Sequence, residues 1–212
     1  MKILKFLALL IITLNTAYAG KQKLTYEQVN KIAYSAVTEY FSYIDTIEIS
    51  DIKKFCPKYN ELSSYEKQKF FGHFLTSISF YESSFIKDTS FSENSGVESK
   101  GLIGLSYKIT QAKSYQRYGC YSIKTKEDIM NPNKSMRCAL AIIEHWLRKD
   151  KVISGQYRNI KGKKIYTGAA RYWSTLRSPY KVTLRNYNNR VVTVGKRALV
   201  ISKIKANYPV CF

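Results

Sequence analysis

Apolar positions recur at helical spacing in several stretches of the chain, and capping residues mark where two of these stretches begin. Residues 25–28 and 63–66 each fit a capping box, with a threonine or serine followed three positions later by Gln or Glu. The first box predicts a helix that runs to about Tyr43. The second predicts a helix over residues 64–82. Both helices carry apolar residues every three or four positions, so each is expected to bury one face.

The rest of the chain alternates between helical and irregular patterns. The segment 86–104 is rich in serine, glycine and charge, which predicts a loop with a short strand or two. Alternating apolar residues over 182–194 predict a β-hairpin around Asn188-Asn189. Further helices are predicted over 106–118, with Ser106 as the cap, and over 134–149, 167–176 and 195–207. The expected fold is a mostly α single domain with a small β element.

The first nineteen residues have the pattern of a secretory signal peptide. A basic start precedes a short apolar run over 6–14, and Ala17-Tyr18-Ala19 places small residues where a signal peptidase cleaves. The apolar run is too short for a permanent membrane span, although a membrane anchor is the alternative interpretation. We therefore expect a signal peptide over 1–19 and one domain over 20–212, in a secreted or periplasmic protein.

The charge of the chain is strongly positive. Lysine and arginine number 35 and Asp plus Glu number 15, for a formal net charge of +20. A surplus of this size favours a polyanionic partner such as nucleic acid, an anionic membrane or a bacterial cell wall with its peptide carboxylates. Charge alone does not choose among them, and a basic surface that serves only solubility is a further alternative.

Four cysteines, an even number, suggest disulfide bonds in an exported chain. They are Cys56, Cys120, Cys138 and Cys211, and no two of them form the C-x-x-C spacing of a zinc site. Of the three possible connectivities we favour Cys120–Cys138, which would close a local loop. The accompanying bond, Cys56–Cys211, would tie the C-terminus back to the domain and restrict the unfolded chain most.

Glu82 is the most unusual polar position in the helical pattern. It continues the apolar stripe of Phe71, Leu75 and Ile78 by one further step of four, at the C-terminal end of the predicted helix. Desolvation and the negative end of the helix dipole would both raise the pKa of its carboxyl. A carboxylic acid that holds its proton near neutral pH is what a general acid requires. The plain alternative is a solvated glutamate paired with Lys87.

An ordered set of short motifs surrounds and follows this glutamate. They are Glu82-Ser83-Ser84-Phe85, the SKGLIGLS stretch over 99–106, Tyr118-Gly119-Cys120, Asn131-Pro132, Cys138-Ala139-Leu140 and Ala170-Arg171-Tyr172-Trp173. The succession resembles the lysozyme-like, soluble-lytic-transglycosylase type of peptidoglycan glycosidase. The resemblance covers residues 56–176, and the tail to Cys211 is read as a C-terminal extension. It implies a lysozyme-like α+β fold.

The resemblance also implies a reaction. Glu82 would protonate the oxygen of the β-1,4 bond between N-acetylmuramic acid and N-acetylglucosamine in peptidoglycan, fully acetylated or N-deacetylated. A lytic transglycosylase then lets the muramic 6-hydroxyl attack, whereas a lysozyme uses water, usually with a second carboxylate about 5–9 Å away. Asp88, Glu93 and Glu98, all in the loop, are the candidates for that second group.

Substrate contacts are likewise implied by the resemblance rather than derived from spacing. The candidate substrate-binding residues are Ser83, Ser99, Gly101, Leu102, Tyr107 and Tyr172. Plain structural roles are the alternatives: a helix-end hydrogen bond for Ser83, a turn for Gly101 and a core position for Tyr172. Trp173 is interpreted as a buried anchor. The family pattern Gly-Leu-x-Gln has Gly104 in place of its glutamine, and a register shifted to Gly104-Leu105 would bring Tyr107 to that position.

Two other classes of function compete with this interpretation. One is a non-catalytic module of the same fold that binds peptidoglycan. The other is a basic nucleic-acid binder or a membrane-active protein, but the chain has no RNA-binding or helix-turn-helix signature, so no nucleic-acid partner is expected. His73 and His145 form no H-E-x-x-H motif, so neither a metal nor a cofactor is expected. Peptidoglycan glycan strands are the expected partner of a monomeric protein without an integral membrane segment after signal removal.

Overall fold

The computed structural model describes residues 22–92, 97–117, 119–177, 181–185 and 191–212. The predicted signal peptide, Glu93, Tyr118 and the tip of the hairpin predicted around Asn188-Asn189 lie outside the described residues. No helix in the described ranges is long and apolar enough to cross a membrane.

α-Helices are the main regular structure of the described chain. They are α1 (Tyr26–Asp45), α2 (Ser64–Ser83), α3 (Tyr107–Thr110), α4 (Lys113–Gln116), α5 (Pro132–Asp150) and α6 (Lys196–Asn207). Both predicted capping boxes are present, one before α1 and one before α2. In the second, the Glu66 backbone N–H donates to Ser63 Oγ at 3.3 Å, while the Ser63 backbone N–H donates to the Glu66 carboxylate at 2.8 Å. The beginnings of these two helices are therefore confirmed.

The strands form antiparallel pairs in the described residues. The pairs are β1 (Ser90–Ser92) with β2 (Glu98–Lys100), β3 (Ser154–Arg158) with β4 (Lys164–Gly168), and β5 (Lys181–Arg185) with β6 (Val191–Gly195). The first and third pairs were predicted, whereas the β3–β4 hairpin was missed. The result is a mostly helical α+β domain, as expected.

The single helix predicted over 106–118 is wrong, because the segment folds as the two short helices α3 and α4. Ala112 between them is extended, with φ −60° and ψ 132°. Side-chain amides support this break. Gln116 Nε2 donates to the Thr110 carbonyl at 2.8 Å, and Gln111 Nε2 donates to the Ile123 carbonyl at 3.1 Å. In a continuous helix the Thr110 carbonyl would accept a hydrogen bond from a backbone N–H, whereas here it accepts one from the Gln116 side chain.

The helix predicted over 167–176 is also wrong. Thr167 belongs to β4, and 3-10 turns over Ala169–Arg171 and Ser174–Leu176 follow. Gly168 has a φ of +64°, and a Cβ there would lie 2.0 Å from the Val152 carbonyl oxygen, so only glycine permits this close approach. By contrast, α5 begins two residues earlier than predicted. Its cap is Asn131, whose Oδ1 accepts from the backbone N–H of Asn133 at 3.0 Å.

Both favoured disulfides are present. Cys56–Cys211 joins the segment before α2 to the C-terminal 3-10 turn, and Cys120–Cys138 joins the Cys120–Ser122 turn to α5. Two disulfide bonds are typical of secreted or periplasmic proteins.

The core lies where α2 packs against α1, α5 and α6. The predicted stripe of α2 is fully buried, with Phe71, Leu75 and Ile78 at 0% exposure. Burying side chains of this size stabilises the fold by about 1.5–3 kcal/mol each. The stripe directs the end of α2 toward the interior, and Glu82 occupies that end.

Candidate active site

Glu82 lies in the last turn of α2, and after Ser83 the helix is followed by two residues with strained backbone. Ser84 ends the helix with a φ of 53°, and Phe85 has a φ of 67°. Non-glycine residues in this region cost about 1–2 kcal/mol each. Phe85 is buried, and its ring centroid lies 5.3 Å from that of Phe80 and 6.0 Å from that of Tyr26. These ring contacts hold the turn in place. Strain stored beside a polar residue is a recognised property of functional sites.

A cleft of about 400 Å³ opens above Glu82. One carboxylate oxygen of Glu82, Oε1, is buried from solvent. Aromatic and cationic side chains surround the space: Tyr81, Phe91, Tyr172, Trp173, Arg177 and Lys196. Among the described lining residues Glu82 is the single carboxylate. Phe91 is 48% exposed, so much of its apolar ring is accessible to a ligand in the cleft.

Gly104 brings a loop backbone against the Glu82 carboxylate. Its φ is +64°, and a Cβ built there would lie 3.1 Å from Glu82 Oε2. The loop closes through a pair of backbone hydrogen bonds between Lys100 and Leu105, each 2.8 Å long. The sequence presented Gly104 only as the position where a glutamine was missing. In the structure the glycine is what allows the loop to approach the carboxylate.

Three side chains fix this loop from both sides. Trp173 Nε1 donates to the Ile103 carbonyl at 2.9 Å, and Ser83 Oγ donates to the Leu102 carbonyl at 2.7 Å. The Ser106 backbone N–H donates to the Tyr172 hydroxyl at 2.8 Å. Buried bonds of this kind each contribute about 1 kcal/mol, and an orphaned partner costs about 1–3 kcal/mol. The loop against Glu82 is therefore held in a defined position.

Two of the predicted substrate-binding residues line the cleft together with Glu82: Ser99, from β2, and Tyr172. Trp173 is 1% exposed, which confirms its interpretation as a buried anchor.

The other predicted substrate-binding residues lie elsewhere. Ser83 is buried and makes the loop bond described above, and Leu102 is a core residue at 1% exposure. Gly101 packs against the 127–130 turn, since a Cβ there would lie 2.4 Å from the Ile129 carbonyl oxygen. Tyr107 lines a neighbouring groove, and its hydroxyl donates to the Lys124 carbonyl at 2.7 Å.

The candidates for a second carboxylate occupy different places. Asp88 is exposed and does not line the cleft, and Glu93 lies outside the described residues. Glu98 lines the same neighbouring groove as Tyr107. Its Oε1 accepts from Lys100 Nζ and from Ser90 Oγ, both at 3.0 Å, and these bonds lower the pKa of the Glu98 carboxyl.

Several cleft residues had no signal in the sequence. Phe91 and Ile109 looked like ordinary loop and helix positions. Arg177 follows a 3-10 turn, and Lys196 opens α6, far along the chain from Glu82. A residue that reaches the cleft from a distant segment carries no local pattern that marks it. No group of three metal-binding side chains occurs in the described part of the chain.

Comparison with known proteins gives structural neighbours and no match by sequence. No protein-family profile and no curated protein matches the chain. Among solved structures, the chain is similar to the Bdellovibrio protein Bd0314 DslA, in a wild-type form and in two single glutamate-to-glutamine variants. The identity is 26%, the match covers 88% of this chain and 92% of that chain, and the TM-scores are 0.66, 0.66 and 0.64. The similarity is consistent with a peptidoglycan-related, lysozyme-like fold.

Proposed function

We propose that this protein is an exported glycosidase that cleaves the β-1,4 bond between N-acetylmuramic acid and N-acetylglucosamine in peptidoglycan, with Glu82 as the general acid. The observation that carries the proposal is the position of Glu82. Its carboxylate lies half-buried in a cleft, and the loop at Gly104 closes over one of its oxygens. The ordered motifs that resemble peptidoglycan glycosidases support the same conclusion.

The reaction follows from this geometry. Protonated Glu82 donates its proton to the glycosidic oxygen as the bond to the anomeric carbon breaks, and the sugar ring develops positive charge. The resulting Glu82 carboxylate then accepts a proton from the attacking group. That group is water in a lysozyme and the muramic 6-hydroxyl in a lytic transglycosylase. Phe91 and Ser99 border the cleft where a sugar ring would lie.

The spacing of two glutamates favours Glu93 as the second carboxylate in preference to Asp88 and Glu98. The two variants of Bd0314 DslA replace glutamates that lie eleven positions apart in that protein. Glu82 and Glu93 are separated by the same number of positions here (93 − 82 = 11).

The direct test is the clearing of purified peptidoglycan by the mature chain. We expect Glu82→Gln to lower kcat by about 10²–10⁴-fold, the usual contribution of a general acid. Glu48→Gln is the matched control, because Glu48 is exposed and outside the cleft. Equal clearing by wild type and Glu82→Gln would refute the assignment. A protein that sediments with peptidoglycan but releases no soluble fragment would instead be a binding module.

Product analysis then separates the chemistries. Mass spectrometry of the released muropeptides distinguishes anhydro ends, made by a transglycosylase, from reducing ends, made by a lysozyme. The same spectra show whether the cleaved sugars were acetylated. A loss of activity in Glu93→Gln that Asp88→Asn and Glu98→Gln do not show would support the spacing argument.

A further inference from the structure

A second groove lies beside the cleft, and lysine side chains line it. Its volume is about 260 Å³. We call it the lysine groove and define it by Lys100, Lys108, Lys126, Glu98, Tyr107 and Val97. Nothing in the reaction proposed above uses these lysines.

The lysine groove and the cleft share one wall. Val97 borders both spaces. Along β2 the lining residues alternate, with Ser99 in the cleft and Glu98 and Lys100 in the groove. This alternation is what a strand imposes on its two faces.

The charge of the groove is positive and only partly neutralised. Lys100 Nζ forms an ion pair with Glu98 at 3.0 Å. Lys108 and Lys126 are exposed, and neither forms a salt bridge with any residue in the described ranges. Two lysines therefore remain available to an anionic ligand, with a third bound to a carboxylate that a ligand carboxylate can replace.

The chain around the lysines is braced by hydrogen bonds. The Tyr107 hydroxyl donates to the Lys124 carbonyl at 2.7 Å, which joins the start of α3 to the segment that carries Lys126. In that segment the backbone N–H groups of Lys124 and Thr125 donate to Asp128 Oδ2 at 2.7 and 2.9 Å. The backbone positions of Lys108 and Lys126 are thus fixed before a ligand arrives, which reduces the entropy lost on binding.

We infer that the lysine groove binds the carboxylates of the peptide stems that branch from the glycan strand. The inference rests on the proposed function of the cleft and deepens it. A stem is attached to the muramic acid sugar, so a glycan held in the cleft would direct a carboxylate-bearing branch across β2. Lysine ammonium groups on the far side complement that branch in charge. The groove would therefore make the protein prefer glycan strands that carry peptides over bare strands.

The test compares two triple variants of the mature chain on two substrates. The groove variant is Lys100→Gln, Lys108→Gln and Lys126→Gln. The control variant is Lys53→Gln, Lys54→Gln and Lys58→Gln, three exposed lysines that precede the N-terminus of α2. Glu82 lies at the other end of that helix, which is about 30 Å long. The control removes the same charge, so both variants lose the same long-range attraction to a polyanion.

The substrates are soluble glycan strands with their peptide stems and the same strands after removal of the stems by an amidase. On strands with stems we expect the KM of the groove variant to be about tenfold higher than that of wild type, equivalent to about 1.4 kcal/mol of binding energy. Each exposed charge pair contributes a fraction of that energy, and the variant removes three lysines. On bare strands the groove and control variants should differ by less than about twofold. Conversion of the stem carboxylates to amides should abolish the difference between wild type and the groove variant.

Three outcomes would overturn the inference. In the first, the groove variant loses activity equally on both substrates. In the second, the control variant shows the same selective loss as the groove variant. In the third, the groove variant still has a higher KM than wild type on strands whose stem carboxylates have been converted to amides. Cleavage of neither substrate by the wild-type protein would instead refute the proposed function itself, and the inference would fall with it.

Discussion

Replacing Gly104 with alanine isolates the contact between the loop and Glu82. The added methyl would lie 3.1 Å from Glu82 Oε2 and 3.6 Å from Glu82 Cβ. Ordinary contacts of a Cβ begin near 3.4 Å, so the carboxylate or the loop must move by about 0.3 Å. The loop has little freedom to move, because Trp173 and Tyr172 hold it. The displacement should therefore fall mainly on the carboxylate.

The expected effects on stability and on rate differ in size. At a φ of +64°, alanine makes the folded state less stable than glycine does by about 1–2 kcal/mol. The lower flexibility of the unfolded alanine chain offsets about 0.4–1 kcal/mol of this loss. A net loss of about 1 kcal/mol would lower Tm by about 2–4 °C for a chain of this size. A displacement of a full ångström at a reacting group can cost about a hundredfold in rate, so 0.3 Å corresponds to roughly fourfold in kcat.

Gly162→Ala is the matched control. Gly162 has a φ of +70°, and a Cβ there would meet nothing within 4 Å. The two variants therefore share the backbone strain and differ in the contact with Glu82. We expect similar losses of Tm by calorimetry, with a fall in kcat on peptidoglycan in Gly104→Ala alone. A wild-type kcat in Gly104→Ala, or an equal fall in Gly162→Ala, would show that the approach of the loop to Glu82 has no part in activity.

Two further predictions concern stability. Burial lowers the pKa of His73 to about 4, below the value of about 6.5 in an unfolded chain, so the unfolded state binds more protons between these values. The free energy of unfolding should therefore fall as pH decreases from about 6.5 to about 4, and it should fall less steeply in His73→Gln than in wild type. Urea denaturation at several pH values measures this dependence. Equal slopes of unfolding free energy against pH in the two proteins would contradict the prediction. Replacing Cys56 and Cys211 with serine should destabilise the fold by about 5 kcal/mol, because this disulfide bridges residues 155 positions apart. Replacing Cys120 and Cys138 should cost about 3 kcal/mol, because that disulfide spans 18 positions and so restricts the unfolded chain less. Equal losses in chemical denaturation would indicate that loop length does not govern the effect.

The features predicted correctly from the sequence are those set by short-range interactions. A capping box involves residues three positions apart, and an apolar stripe repeats every three or four, so the beginnings of α1 and α2 could be predicted. The same periodicity placed Glu82 at the end of a buried face. The disulfide pairing followed from an even count of cysteines and from where they lie along the chain.

The two wrong helix predictions arose where side-chain hydrogen bonds and close backbone packing override a helical sequence pattern. The 106–118 segment has a helical pattern, but bonds from Gln111 and Gln116 to neighbouring carbonyls favour a break. The 167–176 segment is divided because Gly168 ends a strand that packs against Val152. The pairing of β3 with β4 was missed because the sequence pattern of this stretch had not indicated strands.

The sequence by itself determined where the main helices begin, which face of α2 is buried and where along the chain the candidate acid lies. Tertiary structure alone decided what surrounds that acid. Gly104 meets Glu82 across a closed loop, and Lys196 arrives from the last helix. Tyr107, predicted to contact substrate in the cleft, lines the lysine groove instead. Periodicity and capping are properties of neighbouring residues, whereas a cleft is made by segments that only folding brings together.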